Sequence, residues 1–189
     1  MKKVIFISFI LFLSSIFAVS YGQNTKPKII LLIAEQNIQG PQRAWWATEI
    51  DLSTTETVIA KRLIKNGYEI IEPSSAKKII KQNKAFRNLD LSEGKSIKLG
   101  DLAQADYVVL GKAIASSGSK VPQSSMLSCF ANITAKLIRV KGGKVIAYLD
   151  ASGNSAHMDD ITGGREALTN AASDLATKIT EALNKEGGK

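Results

Sequence analysis

The sequence predicts a mixed α/β (α+β) fold, in which one sheet of about five strands ends in a long C-terminal β-hairpin and helices pack on it. Three observations point there. From Met126 to Gly153, apolar and polar residues alternate with a period of two on both sides of "KGGK". From Lys28 to Glu72, two short β-rich runs flank a segment with helical spacing. From about Gly164 to Glu186, Leu168, Ala171, Ala172, Leu175, Ile179 and Leu183 recur at the period of one helix face.

The elements follow in order. "KIILLIAEQN", Lys28 to Asn37, reads as a first, central strand bounded by polar residues. Gly40-Pro41 breaks regular structure in the loop after it. Ser53 with Glu56 three residues later forms a capping box, in which each side chain satisfies a backbone N–H at a helix start. The helix carries Val58, Ile59, Leu63 and Ile64 and stops at Asn66-Gly67, where glycine takes a left-handed conformation. "YEIIE" is the next strand, and a second helix follows in "AKKIIKQN". "GKSIKLGDLAQA" holds a short helix, and "ADYVVLGKA" begins a strand expected to reach Ser117. "SGSKVPQSS" reads as a flexible turn. In the hairpin, Leu127, Cys129, Ala131, Ile133, Ala135 and Leu137 share one face, while Ser128, Asn132, Thr134 and Lys136 share the other. After a two-residue glycine turn, Val145, Ala147, Leu149, Ala151 and Gly153 continue the covered face, with the last helix across the hairpin.

Composition narrows the function classes. The first residues are Lys2, Lys3 and the uncharged run "VIFISFILFLSSIFAV", followed by small and polar residues. This describes a secretory signal peptide, expected to span 1–22 and to leave a single domain over 23–189. The apolar run is short for a bilayer span, and no second one is long enough to cross after signal removal. The expected location is periplasmic or secreted. The formal charge of +8 comes from scattered lysines such as Lys61, Lys65, Lys77, Lys78, Lys81 and Lys84, which read as solvated faces. An exported chain with that distribution points to no nucleic-acid partner. The single cysteine, Cys129, excludes an intramolecular disulfide and reads as a small buried side chain.

Catalytic motifs fail on inspection. Gly111-Lys112 invites a phosphate-loop reading, but that loop needs several glycines and a following helix. Here one glycine is followed by "AIASSG", which continues as strand, so the glycine reads as a site of close packing or a bulge. The one histidine, His157, sits beside Asp159 and Asp160. One such cluster lacks the three or four ligands of a zinc site, and residues so close in sequence seldom form a triad. It reads as a polar loop whose aspartates favour the dipole of the last helix. No catalytic, cofactor or metal residue is assigned.

The candidate binding residues lie after the first strand. Trp45 and Trp46 are the only tryptophans, and an exposed tryptophan is a common interface anchor. Arg43 beside them can stack on a ring or meet an acidic partner. Glu35 stands at the end of the first strand, where α/β sheets often place ligand sites.

Taken together, "IILLIAEQN", "TETVIAKRLIKNGYEIIEP", "LAQADYVVLGKA", "ITAKLIRVKGGKVIAYLDASG" and the alanine-rich last helix resemble the curli assembly/transport components (CsgG-like) and the amino-terminal domain of TolB. Similar domains occur in flagellar assembly protein T and in penicillin-binding-protein activator lipoproteins. The resemblance spans most of the chain after its leader and gives Ala105, Asp106, Tyr107, Gly111, Gly142 and Gly143 structural roles. It implies a periplasmic binding or assembly module without catalysis. Two departures stand out. The curli exporter is lipidated on a cysteine for which this sequence offers no counterpart, and the segment from Ser117 to Ser125 is too short and polar for a membrane-spanning hairpin. The expected function is therefore a non-enzymatic exported module that binds a protein of a secretion, flagellar or wall-synthesis machine, with self-association as a further option. The alternative is a soluble small-ligand or glycan binder. A hydrolase built on the His157 loop is the third reading.

Overall fold

The computed structural model describes residues 26–39, 53–71 and 91–188. The expected leader, the 40–52 loop and the expected helix at 76–83 lie outside them. The described elements are β1 (Lys28–Gln36), α1 (Thr54–Lys65), β2 (Glu69–Ile71), α2 (Glu93–Leu102), β3 (Tyr107–Lys120), β4 (Leu127–Arg139), β5 (Lys144–His157) and α3 (Asp160–Gly187). Five strands form one mixed sheet in the order β2-β1-β3-β4-β5. β1 is parallel to β2 and β3, whereas β3, β4 and β5 are antiparallel neighbours.

β1 is central because its sequence is apolar on both sides. Ile29, Leu31 and Ile33 face one core cluster, and Ile30 and Leu32 face another. The first cluster is the larger. It receives Ile59 and Leu63 of α1 and the predicted stripe of α3 from Leu168 to Leu183, every member of which is buried. Burying each such leucine or isoleucine favours folding by roughly 1.5–3 kcal/mol. The second cluster is smaller, with Leu99 of α2 closing over Ile30, Leu32, Val108 and Ile138. α1 and α3 thus cover one face of the sheet, and α2 covers part of the other.

The local signals act as their chemistry requires. Ser53 caps α1, its hydroxyl accepting from the Glu56 amide at 3.1 Å. Gly67, with φ +90°, turns the chain out of α1 towards β2. The Asp106 carboxylate accepts from the Lys28 amide at 2.7 Å while its own backbone bonds Lys28 and Val140, so "ADY" clamps the starts of β1 and β3 to the end of β4. A Cβ on Gly111 would stand 2.7 Å from the Thr134 carbonyl oxygen, which confirms the close-packing reading.

Three expectations need correction. β3 continues past Ser117 to Lys120, because β4 goes on supplying partners up to the Lys120–Leu127 pair, past an irregularity. Serines and a glycine concealed that strand. Between Leu137 and Ile138 the β4–β5 register slips by one residue, so Ile146 and Ala147 face the large cluster while Val145 turns to the small one. The glycine turn is also longer than two residues: Arg139 pairs Lys144, and Val140–Gly143 connect them with both glycines at positive φ.

α3 starts at Asp160, one turn earlier than its apolar stripe indicates, and is capped by Asp159. It also shields the outer edge of β5. Lys178 Nζ donates to the Asp150 carbonyl at 2.7 Å, and Asn170 Nδ2 donates to the Asn154 carbonyl at 2.9 Å.

Candidate interaction face and a buried carboxyl pair

Beyond α2, the second face of β3, β4 and β5 forms an exposed array. Pairing places Leu110, Lys136 and Tyr148 in one row and Lys112, Thr134 and Asp150 in the next. Ile114, Asn132 and Ser152 follow, then Ser116, Phe130 and Asn154. Within it Tyr148 is 73% exposed, Phe130 46% and Ile114 40%. The Lys136 ammonium lies 5.2 Å from the Tyr148 ring centroid and 3.1 Å from Glu93 of α2. An open cleft of about 670 Å³ runs along the rows nearest α2, between Leu91–Glu93 and the Lys112, Lys136 and Tyr148 side chains. Strand sequence dictates this arrangement: side chains alternate across the sheet, so a strand with one face under α3 must present the other to α2 or to solvent.

A second constellation sits at the carboxyl end of β1. Glu35 is buried, and its two oxygens accept from the amides of Thr54, at 3.3 Å, and Thr55, at 2.7 Å. It therefore acts as an acidic cap on α1, with its carboxyl turned inward rather than offered to a partner. Glu56, in the first turn of α1, is also buried and accepts from the Ile33 amide at 3.3 Å. Among the described residues, β2 pairs β1 only at Lys28–Ile30, so the Ile33 amide finds its partner in Glu56 rather than in β2. Desolvation pushes the Glu56 carboxyl up to about 7, with the nearby Glu35 charge adding to the rise and the amides of Ile33 and Ser53 opposing it. The Thr55 hydroxyl in the same turn is buried without a hydrogen-bond partner among the described residues.

The His157 loop is a helix start. His157 Nδ1 accepts from the Asp159 amide at 3.0 Å. Asp159 in turn accepts from the Thr162 amide and hydroxyl, which hold its carboxyl below the usual range. Asp160 accepts from Gln39 Nε2 at 2.7 Å, tying α3 to the end of β1. Among the described residues no three His, Cys, Asp or Glu side chains are grouped to hold a metal. Cys129 is fully buried, as expected, against Gly163 of α3, and burial raises its thiol pKa.

Of the candidate residues, Glu35 is thus a helix cap, whereas Arg43, Trp45 and Trp46 lie outside the described residues. Sequence reasoning passed over Phe130 and Tyr148. The signal was present: both are apolar residues on the otherwise polar side of the hairpin alternation. Glu56 was assigned only to the capping box, since nothing local shows that a strand amide will need its carboxyl.

No protein-family model and no curated protein sequence matches the chain. Solved structures do resemble it. Lipoprotein GNA1162 from Neisseria meningitidis aligns at 15% identity over 86% of this chain and 99% of its own, with a TM-score of 0.46. The hypothetical protein CT253 from Chlamydia trachomatis aligns at 14% identity over 84% and 96%, with a TM-score of 0.45. The LpoB C-terminal domain from Salmonella enterica aligns at 16% identity over 77% and 92%, with a TM-score of 0.38. Likeness at this level assigns no function, and the CsgG-like and TolB-like resemblance rests on the sequence motifs alone. No described helix is long and apolar enough to cross a membrane.

Proposed function

We propose that the chain is a non-enzymatic, exported binding module of the cell envelope that captures a protein partner on the open face of β3–β5. The observation that carries this reading is the four-row array, whose aromatic and aliphatic members Tyr148, Phe130 and Ile114 stand exposed on a rigid sheet. Rigid aromatic side chains with a polar surround are the composition of binding hot spots. Residues in paired strands hold their positions without an ordering cost at the moment of binding. The leader-like start supports export. Arg43, Trp45 and Trp46 form the second proposed contact.

The test is crosslinking in intact cells with the tagged protein and its variants. The double substitution Tyr148→Ser with Phe130→Ser is expected to cut capture of a reproducible envelope partner by tenfold or more. That corresponds to about 1.4 kcal/mol or more of lost binding, the scale of one hot-spot residue. Both residues are exposed, so folding should hold. Undiminished capture by the folded double variant would overturn the assignment of this face. A parallel Trp45→Ala with Trp46→Ala variant reads the loop separately.

A second reading rests on the cleft beside α2, whose volume lies in the range of small-ligand sites. The Tyr148 ring with Asp150 and Thr134 nearby could stack on and hydrogen-bond a sugar. Saturable binding of glycan fragments by the wild type, lost in Tyr148→Ser, together with no protein capture, would favour it.

A further inference from the structure

We infer that Glu35 and Glu56 form a proton-held latch between the carboxyl end of β1 and the first turn of α1. The two buried carboxyl groups lie near enough for the Glu35 charge to bear on Glu56, and the structure gives them different partners. Glu35 has both oxygens on the helix-end amides of Thr54 and Thr55, acceptor positions that suit a carboxylate at the positive end of a helix. Glu56 accepts from the Ile33 amide of the strand, has Ser53 beside it, and is 4% exposed. A negative charge there, out of water and with the Glu35 charge adding to the cost, is disfavoured, so Glu56 keeps its proton below about pH 7. The unpartnered Thr55 hydroxyl suits such a site, because a hydroxyl can accept from a carboxylic acid or donate to a carboxylate.

Among the described residues, Glu35 is the only ionisable group whose charge bears on Glu56; of the basic residues of α1, Lys61 is exposed and Arg62 and Lys65 stand in the last turn. The direction of linkage follows. Glu56 binds its proton more tightly folded than unfolded, so its stabilising contribution is full below its ordinary pKa of 4.5. That contribution is lost progressively as pH rises to about 7.

Two measurements test the latch. In carbon-detected NMR of the full chain with labelled glutamate, one side-chain carboxyl should titrate near neutrality and be missing in Glu56→Gln. Its midpoint should fall in Glu35→Gln, which removes the neighbouring charge. In thermal melts from pH 5 to 7.5, the wild type should lose about 5 °C or more relative to Glu56→Gln. Taking the difference removes the contributions common to both proteins. If Glu56→Gln fails to fold, the wild-type resonance and its shift in Glu35→Gln still decide. A spectrum in which every glutamate titrates in the ordinary range overturns the latch. So does a midpoint that Glu35→Gln leaves unmoved.

Discussion

Gly153 is a close point of contact between α3 and the sheet, and substituting alanine there tests the packing directly. A Cβ added at Gly153 would collide with the Ala167 carbonyl oxygen, lie 2.5 Å from the Ala171 amide nitrogen and lie 3.0 Å from the Asn170 Cβ. Two of those atoms belong to helix backbone, so no rotamer change relieves the clash; the helix itself must lift. Overpacking of this kind costs about 1–3 kcal/mol. Replacing glycine returns about 0.4–1 kcal/mol by restricting the unfolded chain. Because two backbone atoms are struck, the cost falls at the upper end of that range, and a net loss of about 2 kcal/mol is expected. For a domain of this size that lowers Tm by about 4–8 °C. Gly94 is the control. It lies in α2 with nothing among the described residues within 4 Å of an added Cβ, so Gly94→Ala should leave Tm unchanged or raise it. Calorimetric melts of the two variants beside the wild type make the comparison. If Gly153→Ala melts within 1 °C of the wild type, with its near-ultraviolet circular dichroism intact, α3 does not sit on β5 as described.

Ser53→Ala removes the hydroxyl that accepts from the Glu56 amide and should cost about 1 kcal/mol in urea unfolding. An unchanged midpoint would mean that Glu35 caps α1 alone. Cys129 should resist a disulfide reagent at neutral pH and react at once in denaturant, because burial both hides the thiol and raises its pKa. Rapid reaction of the native protein would contradict that placement.

Much of the fold was legible in the sequence because local and long-range signals agreed. The capping box at Ser53, the glycine at 67, the strict alternation of β4 and the leucine–alanine stripe of α3 each name an element that the tertiary structure then uses. The misjudged elements are those whose form depends on a partner. Ser117 to Lys120 carries no strand propensity and is extended because β4 lies beside it. Val145 changes face because of a register slip that two strands create together. The candidate site was less legible for the same reason. Glu35 looked like a free strand end until Thr54 and Thr55, about twenty residues on, supplied its partners. Tyr148 and Phe130 became a surface only when pairing set them on one face.

The two side chains that cover the β5 edge, Asn170 and Lys178, both belong to α3, which follows β5 in the chain. During synthesis or translocation, β3, β4 and β5 emerge before the residues that shield them. The five-stranded sheet, with a 14-residue outer strand, therefore exists, for a time, with its β5 hydrogen-bonding edge open. The interval lasts until some twenty further residues have been delivered and coiled. Folding of this chain is accordingly a race between helix docking and strand-to-strand pairing with neighbouring molecules, and its yield should depend on chain concentration and on how fast the final helix arrives.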